Sequence, residues 1–223
     1  MTDIGVQAIE RFLSRARLDR YLASSDGDLT AAIRLYAWNI EVSATFLGPL
    51  NCLEVVLRNA LHQELVTLVG VEFWWNDHRI QLIKPGRDVL DAVVRRLGRR
   101  VPPVSAGHIV SELTFGFWVG LLGRGHNYEM RLWRPALRKA FPHYHGNRAD
   151  LHRELDHLRT FRNRIAHYEA IYHRHLSADH ASILRIIGHI SPEVADWVRR
   201  TDRVDAVLAR RAEVCAGTAM ATF

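Results

Sequence analysis

Leu158-Arg159-Thr160-Phe161-Arg162-Asn163-Arg164-Ile165-Ala166-His167-Tyr168-Glu169 is the stretch from which the rest of the chain is read. Together with the residues before it, it places Leu151, Leu155, Leu158, Phe161 and Ile165 at the three- and four-residue steps of one helix face. The spacing predicts a helix over 147–168. The same stretch holds an arginine, an amide and a histidine within six positions. A guanidinium grips and neutralises a phosphate in fork geometry. Histidine is the side chain suited to exchanging protons near neutral pH. Asn163 and His167 are four apart and share a helix face. Arg162 is five positions from His167, roughly 140° round an ideal helix. Either its long side chain reaches round, or the helix ends or distorts near His167.

Working outward, the pattern is helical nearly throughout. An amphipathic helix is predicted over 6–24, with Ile9, Phe12, Leu13 and Ala16 at helical spacing. Asp28 is placed to cap a helix over 29–47. Gly48-Pro49 ends or kinks that helix. A second apolar helix follows over 50–69, so the pair is a hairpin or one kinked helix. An irregular stretch covers 70–86. A short helix over 87–100 stops at Pro102-Pro103, and an apolar helix is predicted over 105–122. A further helix over 127–140 is bent by Pro135, and 142–146 is a loop. Helices over 177–190 and 192–211 complete the set, with Ser191 as N-cap and Pro192 at the first helical position. The tail beyond Glu213 is expected to fray. No alternating strand, repeat or low-complexity linker is present. The fold class is therefore all-α, one helical domain over 1–223 with the chain order of a bundle plus additional helices.

Composition narrows the function classes. The 223 residues carry a net charge of +6 and a sequence pI near 9.8, which points to an acidic partner such as nucleic acid. Lys84 and Lys139 are the two lysines, so arginine supplies nearly all the positive charge. The two cysteines, Cys52 and Cys215, lie far apart and read as reduced thiols. The start lacks a signal-peptide layout, and the longest apolar run, near 113–122, is too short to span a bilayer. A cytoplasmic protein without membrane association is expected. There is no phosphate-binding Gly-rich loop, no dinucleotide fingerprint and no Gly-x-Ser-x-Gly elbow.

Three blocks occur together: Tyr36-Ala37-Trp38-Asn39-Ile40 followed by Leu50-Asn51-Cys52-Leu53-Glu54-Val55-Val56-Leu57-Arg58-Asn59-Ala60-Leu61; Ile109-Val110-Ser111-Glu112-Leu113-Thr114-Phe115-Gly116-Phe117-Trp118; and the Arg162-Asn163…His167 segment. In this order they resemble the Abi-like (abortive infection) branch of the HEPN superfamily over about residues 30–175. The resemblance implies a HEPN-type helical bundle. It also implies a metal-independent endoribonuclease with an Arg-x4-His site shared across a homodimer, acting as a toxin in phage defence. A neutralising antitoxin, RNA or protein, and no cofactor would go with it. Some HEPN toxins carry tyrosine two positions after the histidine. That position here is Glu169, so the chemistry of that pattern does not carry over.

RNA supplies its own nucleophile, the ribose 2′-hydroxyl. The protein must move protons and offset charge at phosphorus, which suits His167 and Arg162, with Asn163 holding the imidazole or the phosphate. Arg164 either binds RNA backbone or forms a salt bridge. Tyr168 either stacks a base or packs in the core. Glu54 and Arg58, four apart, can pair with each other or orient Arg162 or Arg164 from behind. Arg95, Arg96, Arg99 and Arg100 form a basic cluster, either an RNA-binding surface or a solvated helix end. His143, His145, His173 and His175 lack the spacing of common zinc motifs. Two function classes remain: an endoribonuclease, and a non-catalytic module that binds RNA or protein. A DNA-binding regulator has no recognition-helix signature to support it.

Overall fold

The apolar stripe of the central segment produces the helix it predicts. The computed structural model describes residues 3–99 and 103–223, so Arg100 and Pro102 lie outside the described residues. Helix α7 (Arg148–Ala166) buries Leu151, Leu155, Leu158 and Phe161 completely and Ile165 nearly so. Asn147 is not its first residue but its cap: the Asn147 side-chain oxygen accepts from the Asp150 amide at 2.9 Å. The other end stops at Ala166, short of the predicted Tyr168, because Tyr168 takes a left-handed φ of 57°.

The remaining helices are α1 (Asp3–Leu13), α2 (Arg15–Ala23), α3 (Leu29–Val69), α4 (Lys84–Gly98), α5 (Ala106–Glu112), α6 (Phe115–Gly120), α8 (Leu176–Ile190), α9 (Pro192–Thr201), α10 (Val204–Ala209) and α11 (Arg211–Ala216). Short 3-10 or π turns at 74–76, 125–127, 129–133 and 137–140 connect them. No strand occurs among the described residues, so the protein is all-α.

The chain divides into two compact units. One comprises Met1–Gly48, Arg164–His180 and Thr201–Phe223; the other comprises Pro49–Asn163 and Ala181–Arg200.

In the first unit, Ser14 at φ 71° splits the single helix expected over 6–24 into α1 and α2. The Tyr21 ring lies 5.1 Å from Tyr36 and 5.0 Å from Tyr172, and Trp38 donates its indole N–H to the Val207 carbonyl at 3.2 Å. The tail expected to fray is held: Arg210 donates to the Met220 carbonyl at 2.7 Å, and the Thr222 hydroxyl to Glu41 at 3.2 Å.

In the second unit, Trp74, Trp118 and Phe117 form an aromatic core, with Trp74 donating to His62 Nδ1 at 3.0 Å. The single apolar helix expected over 105–122 is two short ones. Leu113 is extended (φ −73°, ψ 131°), and the Thr114 hydroxyl accepts from the Phe117 amide at 3.3 Å to start α6. The stretch 127–140 likewise breaks into a π turn and a 3-10 turn around Pro135, which has no N–H to continue an α-helix.

Between the expected alternatives for 29–69, the chain adopts one 41-residue helix with Pro49 inside it. By length and composition alone this helix is apolar enough to cross a membrane, which the sequence reading of the shorter 113–122 run did not anticipate. Its apolar residues Trp38, Val42, Phe46, Leu53, Leu57, Leu61 and Leu65 are buried within the protein, as in the core helix of a soluble protein. Cys52 and Cys215 are both free thiols.

Candidate functional site

The second unit builds a cleft of about 490 Å³ where α7 passes the junction of α5 and α6. Arg159, Arg162 and Asn163 line one side, Glu54 of α3 another, and Ser111 through Gly116 the third. This junction exists because Leu113 leaves the helical conformation, which is why reading 105–122 as one helix concealed the cleft.

Arg162 sits half-buried, its Nε 3.7 Å from Glu54 Oε2. Glu54 is the more enclosed partner, its side chain 21% exposed against 43% for Arg162. Glu54 thus pairs with Arg162 rather than with Arg58, the partner that helical spacing alone suggested. Arg58 donates instead to the Ser111 carbonyl at 3.4 Å, and its Nε is buried without a partner. Arg58 therefore ties α3 to the end of α5, a structural task that shapes the cleft wall. Arg159 is held by Asp156 at 2.8 Å and packs its Cδ over Gly116, where an added Cβ would come within 3.4 Å of it.

The cleft mixes charges: Arg159 and Arg162 face Glu54 and Glu112. Glu112 is in turn engaged by Arg96 at 2.5 Å, which draws one member of the basic cluster into an ion pair. Arg95 and Arg99 are exposed.

The first unit holds the rest of the predicted set. Helix α7 ends before His167, which is solvent-exposed. Of the two options left by the arginine–histidine spacing, the helix does end there. Arg164 Nε lies 4.0 Å from Glu169 Oε2, an ion-pair contact at the limit of range and of small energetic worth. Tyr168 is 77% exposed, so the packed-core alternative for it is excluded.

The chain after the motif is anchored by Asn39. This 4%-exposed amide accepts from the Ile171 amide at 2.8 Å and the Tyr172 amide at 3.1 Å. The role was missed from sequence, although an asparagine amid Tyr36-Ala37-Trp38 and Ile40 is a buried polar residue in need of partners. Arg148 was also missed. It is 13% exposed and donates to Glu129 at 2.9 Å, to the Gly123 carbonyl at 2.5 Å and to the Leu122 carbonyl. Nothing in its local sequence distinguished it from a surface arginine.

The first unit also contains a buried imidazole, His180, with Nε2 3.0 Å from Asp202 and Nδ1 3.3 Å from Asp205. Both ring nitrogens are engaged and the ring is 4% exposed, which suits a cross-brace between α8 and the turn before α10. Among the described residues no three or more His, Cys, Asp or Glu side chains come together as a metal-binding group. Comparisons with protein-family models, with curated proteins and with solved structures find no match to this chain.

Proposed function

We propose that the protein is a HEPN-type endoribonuclease of the Abi-like kind that cleaves RNA through Arg162, Asn163 and His167, restrained in the cell by an antitoxin and acting in phage defence. The observation that carries the reading is an arginine–amide pair facing an open cleft, on a helix that stops just before an exposed histidine. Catalysis needs the ribose 2′-oxygen to attack phosphorus while the bond to the 5′-oxygen breaks. The products are a 2′,3′-cyclic phosphate and a 5′-hydroxyl. Arg162 offsets the charge on the pentacoordinate phosphorus, Asn163 hydrogen-bonds a phosphoryl oxygen, and His167 takes or returns a proton. One imidazole cannot conveniently be base and acid at once, so two chains with paired motifs make the working unit, in the cytoplasm.

The test is incubation of purified protein with mixed RNAs, with and without EDTA. Cleavage is expected in both, with 2′,3′-cyclic phosphate ends, and is expected to vanish in Arg162→Ala and His167→Ala variants that remain folded. Loss of cleavage in EDTA, 3′-hydroxyl ends, or full activity in the variants would refute the assignment. A second reading, a module that binds RNA or protein without cutting, is favoured by one observation: Glu54 already occupies one side of the Arg162 guanidinium.

A further inference from the structure

Helix α7 closes in a way that costs it stability. The Glu169 amide donates to the Arg164 carbonyl at 2.8 Å and the Tyr168 amide to the Ile165 carbonyl at 3.0 Å. This paired closure requires a left-handed residue at the position of Tyr168, and glycine adopts that conformation with the least strain. Here the position holds a tyrosine at φ 57°. The two closing hydrogen bonds hold the backbone there, and the side chain adds no support of its own. The side chain is 77% exposed, and among the described residues it makes no hydrogen bond, ion pair or ring contact. Strained residues held in place by their surroundings cluster at binding and active sites.

Arg164 precedes it by one helical turn, and Glu169 follows it directly. Arg164 is the residue whose carbonyl closes this same turn. The imidazole of His173 is pushed below its ordinary value of 6.5 by burial and then by the charges of Arg164, Arg174 and Arg20. Arg174 is fastened to Asp179 at 2.8 Å, and Arg164 has Glu169 only at 4.0 Å. An exposed ring fixed at a helix end, one turn after an under-neutralised arginine, matches a polyanion with flat, unstacked faces better than an apolar protein surface.

We propose that Tyr168 is a stacking platform for an unpaired base of a single-stranded nucleic acid, with Arg164 receiving a flanking phosphate. The proposal rests on RNA being the partner, as proposed above, and assigns this surface of the first unit its part in holding the strand. The left-handed closure fixes the direction of the Tyr168 Cα–Cβ bond, so the ring is presented outward without ordering a flexible loop on binding.

The experiment measures binding of a fluorescently labelled 2′-O-methyl oligonucleotide, which has no free 2′-hydroxyl, and of the DNA of the same sequence, to the full chain at fixed salt. Tyr168→Gly and Tyr168→Leu are expected to weaken binding of the 2′-O-methyl strand by roughly 5- to 150-fold. Tyr168→Trp is expected to stay within about threefold of the parent, because tryptophan also offers a flat ring. The thermal midpoint of Tyr168→Gly should hold or rise by roughly 1–4 °C as the strain is relieved. Equal losses with DNA would mark the platform as reading any single strand, and a smaller loss would mark it as tuned to ribose; either agrees with stacking. Unchanged affinity in the glycine and leucine variants would overturn the proposal, as would a fall in affinity matched by a fall in thermal midpoint. Tyrosine-dependent binding by a chain that leaves ordinary RNA intact would uphold the platform and refute cleavage. Cleavage that is indifferent to Tyr168 would do the reverse.

Discussion

Glu54→Gln separates the two uses of the Arg162 guanidinium. The carboxylate lies 3.7 Å from Arg162 Nε, with side-chain exposures of 21% and 43%. Unit charges at that distance interact by about 1 kcal/mol in bulk water and about 4 kcal/mol at an effective dielectric near 20. Desolvation and side-chain ordering consume most of this, and measured part-exposed pairs return about 0.2–1 kcal/mol. Glutamine keeps the shape and removes the charge. A phosphate then no longer competes with a carboxylate, so affinity for a non-cleavable RNA should rise by about two- to fivefold. The same change loosens the orientation of Arg162, so the maximal cleavage rate should fall while the half-saturating RNA concentration also falls. Fluorescence anisotropy with a 2′-O-methyl strand reads the first effect, and initial rates on its cleavable counterpart read the second. Weaker binding by a folded Glu54→Gln protein would refute the reasoning, since it would mean that the phosphate is not held where Arg162 meets Glu54.

The fold supplies further tests. Arg148→Ala removes the part-buried donor of two carbonyls, while Glu129 keeps Arg134, and should cost about 1–3 kcal/mol, visible as a drop in urea midpoint; a change under about 0.5 kcal/mol would contradict the anchoring role. Asn39→Ala strips the Ile171 and Tyr172 amides of their acceptor and should cost about 2–4 kcal/mol, with faster amide exchange at those two positions as the specific signature. Acid should lower stability in two separate pH windows. Burial holds His62, His152 and His189 below 6.5, so they fold neutral; their contribution is present above 6.5 and is lost as pH falls below it. Hydrogen bonds from Arg148 and then Arg134 hold Glu129 below 4.5, so its contribution persists until pH falls through that lower range. Stability that rises on acidification from pH 7 to 5 would contradict the histidine assignment, and stability that holds as pH falls well below 4.5 would contradict that of Glu129.

The sequence by itself determined the all-α class, the apolar stripe of α7, and the cap and first proline of α9. Each depends on interactions between residues within about one turn of one another, so periodicity and capping chemistry express them directly. Only the tertiary structure decided which carboxylate faces Arg162. Helical spacing offered Glu54 and Arg58 to each other, but packing across elements turned Glu54 toward α7 and Arg58 toward the end of α5. The cleft itself depends on Leu113 leaving a helix that its apolar neighbours would favour, and the Thr114 cap is legible only once that break is known. Asn39 and Arg148 act on backbone groups far away in sequence, so no local pattern marks them. The left-handed Tyr168 is the sharpest case. Local preference argues for glycine there, and the closing hydrogen bonds of α7 overrule it.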